Sequence, residues 1–373
     1  MTQQFLPMAQ PTVCGPALGK EPCSGPKIPA VSGLLDEQVA GFQRWLETPA
    51  GRVPVISPAL GHADRFGAWK ARWGIGRMTY LVPPGLYAVG SPSAGDPVLV
   101  TANYKMSYDL VRSSLRGRSA WLLVLETHGI NVWCAAGKGT FGSEELVTRI
   151  ETTRLANVVE HRTLILPLLG APGVSAHEVS ARTGFSVRFA AILAADIPAY
   201  LDGGLQPTPR MHELTFTMRE RLVLIPVELV IALKGSVWIV PLLALAAAWR
   251  DGQFSPTAAI PAVLAYAGAV AAGTVITPLA LPWLPTRSFA VKGAIVGVLW
   301  SLLFLAVSGW RGFAASATVL LVSAVSSFLA LNFTGSTPYT SRSGVKREMR
   351  LSMPLMACGL VAGVGCWIAA ALR

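Results

Sequence analysis

The amino-acid sequence predicts two domains of different classes: an α/β domain with a mainly parallel sheet, followed by an all-α domain of five membrane-spanning helices. Between about residues 53 and 204, short apolar segments alternate with helical segments, which is typical of a parallel sheet covered on both faces. From Leu222 onward, long apolar stretches follow one another, and a stretch of roughly 20 apolar residues can cross a bilayer. The composition agrees, since the chain is 52% hydrophobic and 14% charged.

The chain is expected to divide into three parts, with boundaries set by composition. Residues 1–33 are rich in Pro, Gly and Ser and show little periodicity, so we expect a flexible leader. The α/β domain is expected over residues 34–216 and the transmembrane domain over residues 217–373. An amphipathic helix is predicted at Leu34–Glu47 because four apolar side chains share one helical face, namely Leu35, Val39, Phe42 and Leu46.

Six strands and three helices are predicted within the α/β domain. The strands are Val53–Ile56, Met78–Val82, Val98–Thr101, Trp121–Leu125, Thr163–Leu166 and Ser186–Phe189. Ser143 is expected to cap a helix that runs to about Val158, and Ser175 a helix that Gly184 ends. Asp196 is expected to cap a third. In such folds ligands bind at the carboxyl ends of the strands.

Five membrane spans are predicted in the rest of the chain. They are Leu222–Ala248, Ala258–Leu281, Val291–Ser308, Phe313–Leu331 and Met353–Leu372. Glu228 and Lys234 interrupt the first, so its first half is a candidate for the membrane interface. The spans otherwise carry few ionisable residues, which favours an anchor over a channel or carrier.

Charge and the N-terminus predict the location of the chain. Basic loop residues cluster on one side of the spans, namely Arg219, Arg221, Arg287, Lys292, Arg342, Lys346, Arg347 and Arg350, against Arg250, Arg311 and Arg373 on the other. The richer side is cytoplasmic by the positive-inside rule. Residues 1–11 show no signal-peptide pattern. We therefore expect a multi-pass protein of the cytoplasmic (inner) membrane with its soluble domain in the cytoplasm. The net charge of +11 reflects this topology, and no nucleic acid is expected as a partner.

The segment Asn131–Lys138, which reads NVWCAAGK, is the main candidate site. Asn131 is a suitable N-cap for a short helix, because its side chain can accept from the N–H of Cys134. Gly137 is expected to stop this helix. The helix dipole and Lys138 then favour the thiolate of Cys134. Such a thiolate could be a soft metal ligand or a nucleophile, while a small buried hydrophobe is an equally good interpretation.

Other motifs leave weaker alternatives open. Gly137–Gly142 matches GxGxxG, with Glu160 where a ribose-binding acid could lie, but the preceding strand ends too early for this fingerprint. His128 could pair with Cys134 for acyl chemistry. Three acidic residues are candidates for paired carboxylates, namely Asp109, Glu126 and Asp196. The histidines and the five cysteines show no metal-ligand spacing.

The NVWCAAGK segment resembles the cap-helix motif of the membrane-anchored corrinoid protein of microbial mercury methylation. Val100–Lys105 (VTANYK) also resembles a segment shared with the corrinoid iron–sulfur protein of the acetyl-CoA pathway. The resemblance extends from about Val53 to the C-terminus and includes a cytoplasmic domain followed by five spans. It implies a Rossmann-like corrinoid-binding domain ahead of the membrane helices.

The resemblance also implies a cofactor and its ligands. The α/β domain would bind a cobalamin-type corrinoid with its nucleotide base off the metal, and the Cys134 thiolate would be the lower axial cobalt ligand. Thr101 would lie near the corrinoid beside the cap helix. The other expected corrinoid contacts are Asn131, Val132, Trp133, Ala135, Ala136, Gly137, Lys138, Gly170 and Gly173.

The implied reaction is methyl transfer to Hg(II). A methyl donor, such as a methylated folate or its corrinoid carrier protein, would methylate Co(I), and the methyl group would pass with its bonding electrons to Hg(II). Two electrons must then return cobalt to Co(I), and a ferredoxin-like protein with two [4Fe-4S] clusters is the expected donor. Membrane lipid is the remaining expected partner. Two alternatives stay open: a corrinoid methyl carrier for another acceptor, and a membrane-tethered nucleotide-binding sensor.

Overall fold

The computed structural model of this protein describes residues 39–250, 253–337 and 340–372. The predicted leader and residues 34–38 of the first predicted helix lie outside these ranges. The described chain divides into two compact units, of which the first ends at Thr215 and the second begins at Phe216.

The first unit is built from seven strands and six α-helices in the described residues. The elements are β1 Phe42–Thr48, β2 Gly51–Ile56, α1 His62–Arg72, β3 Gly85–Val89, β4 Val98–Ala102, α2 Lys105–Ser114, β5 Ala120–Leu125, α3 Val132–Lys138, α4 Ser143–Thr152, β6 Thr163–Leu166, α5 Ala176–Thr183, β7 Ser186–Phe189 and α6 Ile197–Asp202. Five of the six predicted strands are confirmed within one or two residues.

The sheet is mixed rather than wholly parallel. Its strand order is β1-β2-β3-β5-β4-β6-β7. The pairs β4–β5, β4–β6 and β6–β7 are parallel, as expected, and so is β2–β3. The pairs β1–β2 and β3–β5 are antiparallel. The carboxyl ends of β4 to β7 therefore lie along one edge, where sequence reasoning places a ligand site.

The helix predicted at Leu34–Glu47 is wrong over its described part, where the chain forms strand β1. A two-residue loop, Pro49-Ala50, joins Thr48 to Gly51 in an antiparallel hairpin. Gly51 has φ +112°, a conformation that favours glycine. The apolar spacing matched a helix, but hairpin pairing with β2 determined the structure.

The strand predicted at Met78–Val82 is also wrong. Arg77–Thr79 forms a turn of 3₁₀ helix, and Leu81 makes only an isolated bridge to Tyr104. The strand lies further on, at β3, whose five residues are all buried. Pro83 and Pro84 separate the two segments, and proline interrupts strand pairing because it lacks an N–H.

The predicted helix caps are partly confirmed. Ser175 accepts from the N–H of Glu178, and Gly184 ends α5 in the left-handed region. Asp196 precedes α6 without a side-chain capping bond. The N-cap of α4 is Gly142 and not Ser143. The hydroxyl of Ser143 accepts instead from the N–H of Ser175 at 2.9 Å. Helix α4 ends at Thr152, before the predicted end at Val158.

Both faces of the sheet are buried, as predicted. On one face, side chains of β2 to β6 pack with α3, α4 and α5, through residues such as Ala135, Leu146 and Val179. On the other face, alternate side chains of the same strands pack with α2 and α6, through residues such as Tyr108 and Tyr200. The Asn131–Lys138 segment, called the cap-helix segment below, thus packs against one face of the sheet.

Among its described residues, the second unit contains five helices that are long and apolar enough to cross a membrane, which confirms the predicted number. They are Met218–Ala248, Pro256–Ala280, Phe289–Ser308, Gly312–Asn332 and Ser343–Ala371. The α-helices within them are α7 Met218–Ala248, α8 Ala259–Ala271, α9 Thr277–Ala280, α10 Phe289–Ser308, α11 Gly312–Asn332 and α12 Arg342–Ala371. A π-helical segment, Ala272–Ile276, joins α8 to α9, and two short strands, β8 Trp249–Arg250 and β9 Gln253–Phe254, follow α7.

Helices α10 and α11 approach each other closely through small residues. A Cβ on Gly297 would lie 2.8 Å from the Cα of Ser323 and 2.9 Å from the Cβ of Ser326. The hydroxyl of Ser326 donates to the carbonyl of Gly293 at 2.8 Å. Small residues and interhelical hydrogen bonds are the usual means by which membrane helices associate.

We expect Gly297→Leu to destabilise the second unit. The new side chain would meet the backbone of α11, and such overpacking costs about 1–3 kcal/mol or more. Thermal unfolding of the full chain in detergent, followed by circular dichroism, should show a lower melting temperature. Gly365→Leu on α12 is the matched control, because nothing lies within 4 Å of a Cβ there. Equal melting temperatures for the two variants would contradict the close contact.

Candidate functional site

The cap-helix segment forms a short helix, α3, directly after the carboxyl end of β5. The side chain of Asn131 accepts from the N–H of Cys134 at 2.9 Å, which confirms the predicted N-cap. The predicted stop at Gly137 is wrong, because the helix includes Gly137 and Lys138 and ends at Gly139, with φ +83°. Cys134 is the third of the seven residues of α3 and so lies in the first turn of the helix.

Helix α3 has an inner and an outer face. Val132, Ala135 and Ala136 are buried in the core beneath the helix. The side chains of Trp133 and Cys134 are partly exposed, and Gly137 and Lys138 are exposed. Trp133, Cys134, Gly137 and Lys138 are therefore accessible to a ligand. The three buried residues support the helix instead.

The electrostatics around Cys134 differ from the expectation. Burial raises the pKa of the Cys134 thiol above its ordinary value, against the opposing effects of Lys138, Arg77 and the hydrogen bond to Asn131. Burial therefore outweighs the charges of Lys138 and Arg77, and the thiolate is less favoured than expected from the sequence. The influence of Arg77 was missed, because it follows α1 and is remote in sequence.

The predicted ligand glycines, Gly170 and Gly173, pack against the cap-helix region. They lie in a 3₁₀ helix, Leu168–Gly173. A Cβ on Gly173 would lie 2.9 Å from the Cα of Ala136, and one on Gly170 would lie within 2.5 Å of the Phe141 ring. Close packing explains both glycines, and contact with a corrinoid stays a prediction for them.

Thr101 lies on β4 on the other face of the sheet from α3. Its neighbours Val100 and Ala102 pack with the layer that contains α3, whereas Leu99 packs with the layer that contains α2. Since side chains alternate along a strand, Thr101 faces the α2 layer. Its buried hydroxyl has no hydrogen-bond partner among the described residues. The structure therefore does not bring Thr101 and Cys134 together on one face, and a role in binding stays a prediction.

Two of the three candidate carboxylates, Asp109 and Glu126, have structural partners. Asp109 lies 2.8 Å from Arg112 and 2.7 Å from Lys105, and Asp64 completes this buried ion network at 2.8 Å from Arg112 and 2.5 Å from Lys105. Burial opposes ionisation of Asp64, but Lys105, the N–H of Gly61 and Arg112 lower its pKa below the ordinary value. The network ties α1 to α2.

The remaining alternatives receive no support from the local geometry. Gly137–Gly142 joins α3 to α4, whereas a dinucleotide fingerprint connects a strand to a helix. His128 Nδ1 lies 3.8 Å from the carboxylate of Glu126. In the parts of the chain that the structure describes, no group of three His, Cys, Asp or Glu residues could hold a metal ion.

A cavity lies at the other edge of the sheet, near the start of β6. Its lining includes Asp96, Arg118, His161 and Asp202. These polar groups have partners within the protein, since His161 lies 2.8 Å from the carbonyl of Asp96 and Arg118 pairs with Asp202 at 2.7 Å. The exposed face of α3 remains the better candidate for chemistry.

Comparisons with known proteins match the part of the chain that carries Cys134. Residues 77–193 match the family model of the CO dehydrogenase/acetyl-CoA synthase delta subunit, CdhD. The gamma subunit of the acetyl-CoA decarbonylase/synthase complex from Methanopyrus kandleri is 34% identical over 123 residues, which is 32% of this chain and 26% of the relative. The gamma subunit from Archaeoglobus fulgidus is 34% identical over 133 residues, or 35% of this chain and 28% of the relative.

The similarity thus spans about a quarter of the length of these two relatives. The family match begins at Arg77, ends before α6, and contains β3 to β7 with α3. The membrane helices lie outside residues 77–193. The sheet that supports Cys134 is therefore similar to the CdhD family and to acetyl-CoA decarbonylase/synthase gamma subunits.

Proposed function

We propose that this protein is a membrane-anchored corrinoid methyltransferase that transfers a methyl group to Hg(II) and forms methylmercury. Cys134 would be the lower axial cobalt ligand of a cobalamin-type corrinoid bound with its nucleotide base off the metal. The observation that carries the proposal is a half-buried cysteine on a capped helix, within the segment similar to the gamma subunits. The described part of the chain also has five helices long enough to cross a membrane.

The residues around Cys134 fit a large flat cofactor. A thiolate is a soft donor that suits a transition metal. Gly137 and Gly139 are exposed beside it, and a Cβ on Gly139 would meet nothing within 4 Å. A ring could therefore approach the sulfur without a clash with side chains at these positions.

When bound, the corrinoid would supply a methyl group that leaves with its bonding electrons. The protein's own residues would hold the sulfur in place, since the Asn131 cap and the buried Val132, Ala135 and Ala136 fix α3 against the sheet. Loss of the thiol proton would be assisted by Lys138 and Arg77, whose charges lower the pKa of Cys134 against the effect of burial. Metal binding favours the deprotonated ligand in the same direction.

The location and partners follow from the same proposal. The five spans would anchor the chain in the cytoplasmic membrane, with the Cys134 unit in the cytoplasm by the positive-inside rule. A ferredoxin-like protein with two [4Fe-4S] clusters would supply electrons, and a methylated folate or a corrinoid carrier protein would supply the methyl group. Described residues offer no three-ligand metal group, so a separate electron donor is consistent with the site.

A second candidate keeps the corrinoid but changes the methyl acceptor. The specific observation in its favour is the name of the relatives, which are subunits of an acetyl-CoA decarbonylase/synthase complex. In this alternative the protein is a methyl carrier for another soft metal or for a thiol.

One experiment tests the proposal and separates the two candidates. We expect the full-length protein in detergent to take up methylcobalamin and to form methylmercury from Hg(II) faster than the same concentration of free methylcobalamin. Methylmercury is measured by gas chromatography with mass detection. A protein that takes up no corrinoid, as judged by its absorbance spectrum, contradicts both candidates. Transfer to a thiol but not to Hg(II) contradicts the mercury proposal and supports the methyl carrier.

A further inference from the structure

Asn103 is a fully buried polar residue between the end of β4 and the start of α2. Its side chain is 0% exposed. Its amide nitrogen donates to the carboxylate of Glu126 at 2.7 Å, and its amide oxygen accepts from the N–H of Thr127 at 3.1 Å and of Gly129 at 3.2 Å. The Thr127 hydroxyl also lies 2.9 Å from that oxygen. All four contacts go to the turn that joins β5 to α3.

This turn contains two consecutive residues in the left-handed region. His128 has φ +53° and Gly129 has φ +70°. A left-handed conformation is unfavourable for histidine, so it persists only where the surroundings hold it. The oxygen of Asn103 accepts from the N–H groups on both sides of His128. Asn103 therefore secures the turn at its least favourable point.

The turn leads directly to the sulfur. The Thr127 hydroxyl lies 2.7 Å from the carbonyl of Ile130, and the next residue, Asn131, caps α3 through the N–H of Cys134. A helix of seven residues is too short to be stable on its own. Its position must be set by the core beneath it and by the turn that precedes it.

We propose that Asn103 is a positioning residue that fixes the turn of residues 126–131 and thereby the place of the Cys134 sulfur. The positioning role itself does not depend on the proposed function. Only the identity of the group that the sulfur binds rests on that proposal. The sequence offers no local signal for this role, since Asn103 and Thr127 are brought together by the parallel pairing of β4 with β5.

We expect Asn103→Ala to loosen the turn while the rest of the first unit stays folded. Amide hydrogen exchange of residues 126–139 in the corrinoid-free full-length protein should rise by about tenfold or more, since opening of this segment becomes easier. Alkylation of Cys134 by N-ethylmaleimide, with Cys134 quantified by peptide mass spectrometry, should accelerate as well. Tyr87→Phe is the matched control. It also removes a buried hydrogen bond, the one from the Tyr87 hydroxyl to the Pro83 carbonyl, but Tyr87 packs on the face of the sheet opposite α3.

Two further variants test the same role if Asn103→Ala does not fold. Asn103→Asp retains the oxygen that accepts from Thr127 and Gly129 but places a carboxylate against Glu126, so exchange in the turn should rise. Asn103→Asp/Glu126→Gln restores a donor and acceptor between the two positions and should return exchange towards the wild-type rate. In corrinoid-loaded protein, the absorbance bands that depend on Cys134 ligation should weaken in Asn103→Asp and recover in the double variant.

Exchange in residues 126–139 that stays at the wild-type rate in the Asn103 variants overturns the inference. A uniform rise across the first unit, as expected for Tyr87→Phe, also overturns it, because that result describes a loss of overall stability. Exchange and alkylation are measured without corrinoid, so a local effect supports Asn103 even if the protein takes up no corrinoid. Corrinoid uptake with no local effect would overturn the positioning role and leave the proposed function standing.

Discussion

We expect the Cys134→Ala variant to lose methyl transfer to Hg(II) while it keeps the fold of the first unit. The hydrogen bond to the Asn131 cap comes from the backbone N–H of residue 134, so alanine preserves the helix and removes only the sulfur. Rates of methylmercury formation should fall to that of free methylcobalamin. The absorbance spectrum of the corrinoid-loaded variant should shift, because an axial ligand has been lost.

Cys358→Ala is the matched control for this experiment. Cys358 lies exposed on α12 in the second unit, and its removal should leave both the rate and the spectrum unchanged. Cys134→Ser adds a second comparison, since it keeps the shape of the side chain but replaces the large, soft sulfur by a smaller, hard oxygen. Full activity with an unshifted spectrum in Cys134→Ala would refute the ligand role.

The second large effect is expected at Arg112, where Arg112→Met should strongly destabilise the first unit. The guanidinium is 0% exposed, pairs with Asp64 and Asp109 at 2.8 Å, and donates to the carbonyls of Ser57 and Ala59. Removal of one partner of a buried ion pair costs about 3–5 kcal/mol, because the remaining charges lose compensation. For a unit of this size the melting temperature should fall by roughly 10 °C.

Arg112→Met should also change how the stability of the first unit depends on pH. The pKa of Asp64 is lowered in the folded state, so its ionised form stabilises the fold above the unfolded pKa, and this contribution is lost as pH falls through the folded pKa. The wild-type protein should therefore lose stability below about pH 4, and Arg112→Met should lose less over that range. Thermal unfolding at a series of pH values, with the full chain in detergent, measures both effects.

Arg118→Met is the control for the buried ion network. Arg118 also pairs with an aspartate, Asp202 at 2.7 Å, but both side chains are substantially exposed, at 32% and 62%. Exposed ion pairs contribute little to stability, so the melting temperature should barely change. A large loss at Arg118, or a negligible loss at Arg112, would contradict the distinction between buried and exposed pairs.

The sequence was sufficient where one segment determines its own structure. Strands β4, β5 and β6 are short, largely buried apolar runs, and each was predicted. The Asn131 cap was found because the donor and acceptor are three residues apart. The five long apolar helices were found because length and hydropathy alone make a helix a candidate to cross a bilayer.

The errors arose where pairing partners are distant in the chain. The apolar residues of β1 have helical spacing, and only the hairpin with β2 makes them a strand. The burial that raises the Cys134 pKa, and the charge of Arg77 that opposes it, depend on the assembled unit. Asn103 was visible only as part of a strand-end segment, because its partners lie more than twenty residues away, in the turn that follows β5.

The contacts that fix α3 also determine which substitutions the site can accept during evolution. The helix is fixed by a backbone N–H at position 134, by the Asn131 side chain and by inward-facing apolar residues, none of which depends on the chemical nature of the side chain at 134. The donor atom is thus separable from the scaffold that presents it. A sheet of this kind could carry oxygen or nitrogen in place of sulfur at this single position, with a different preference for metals, and keep the same fold.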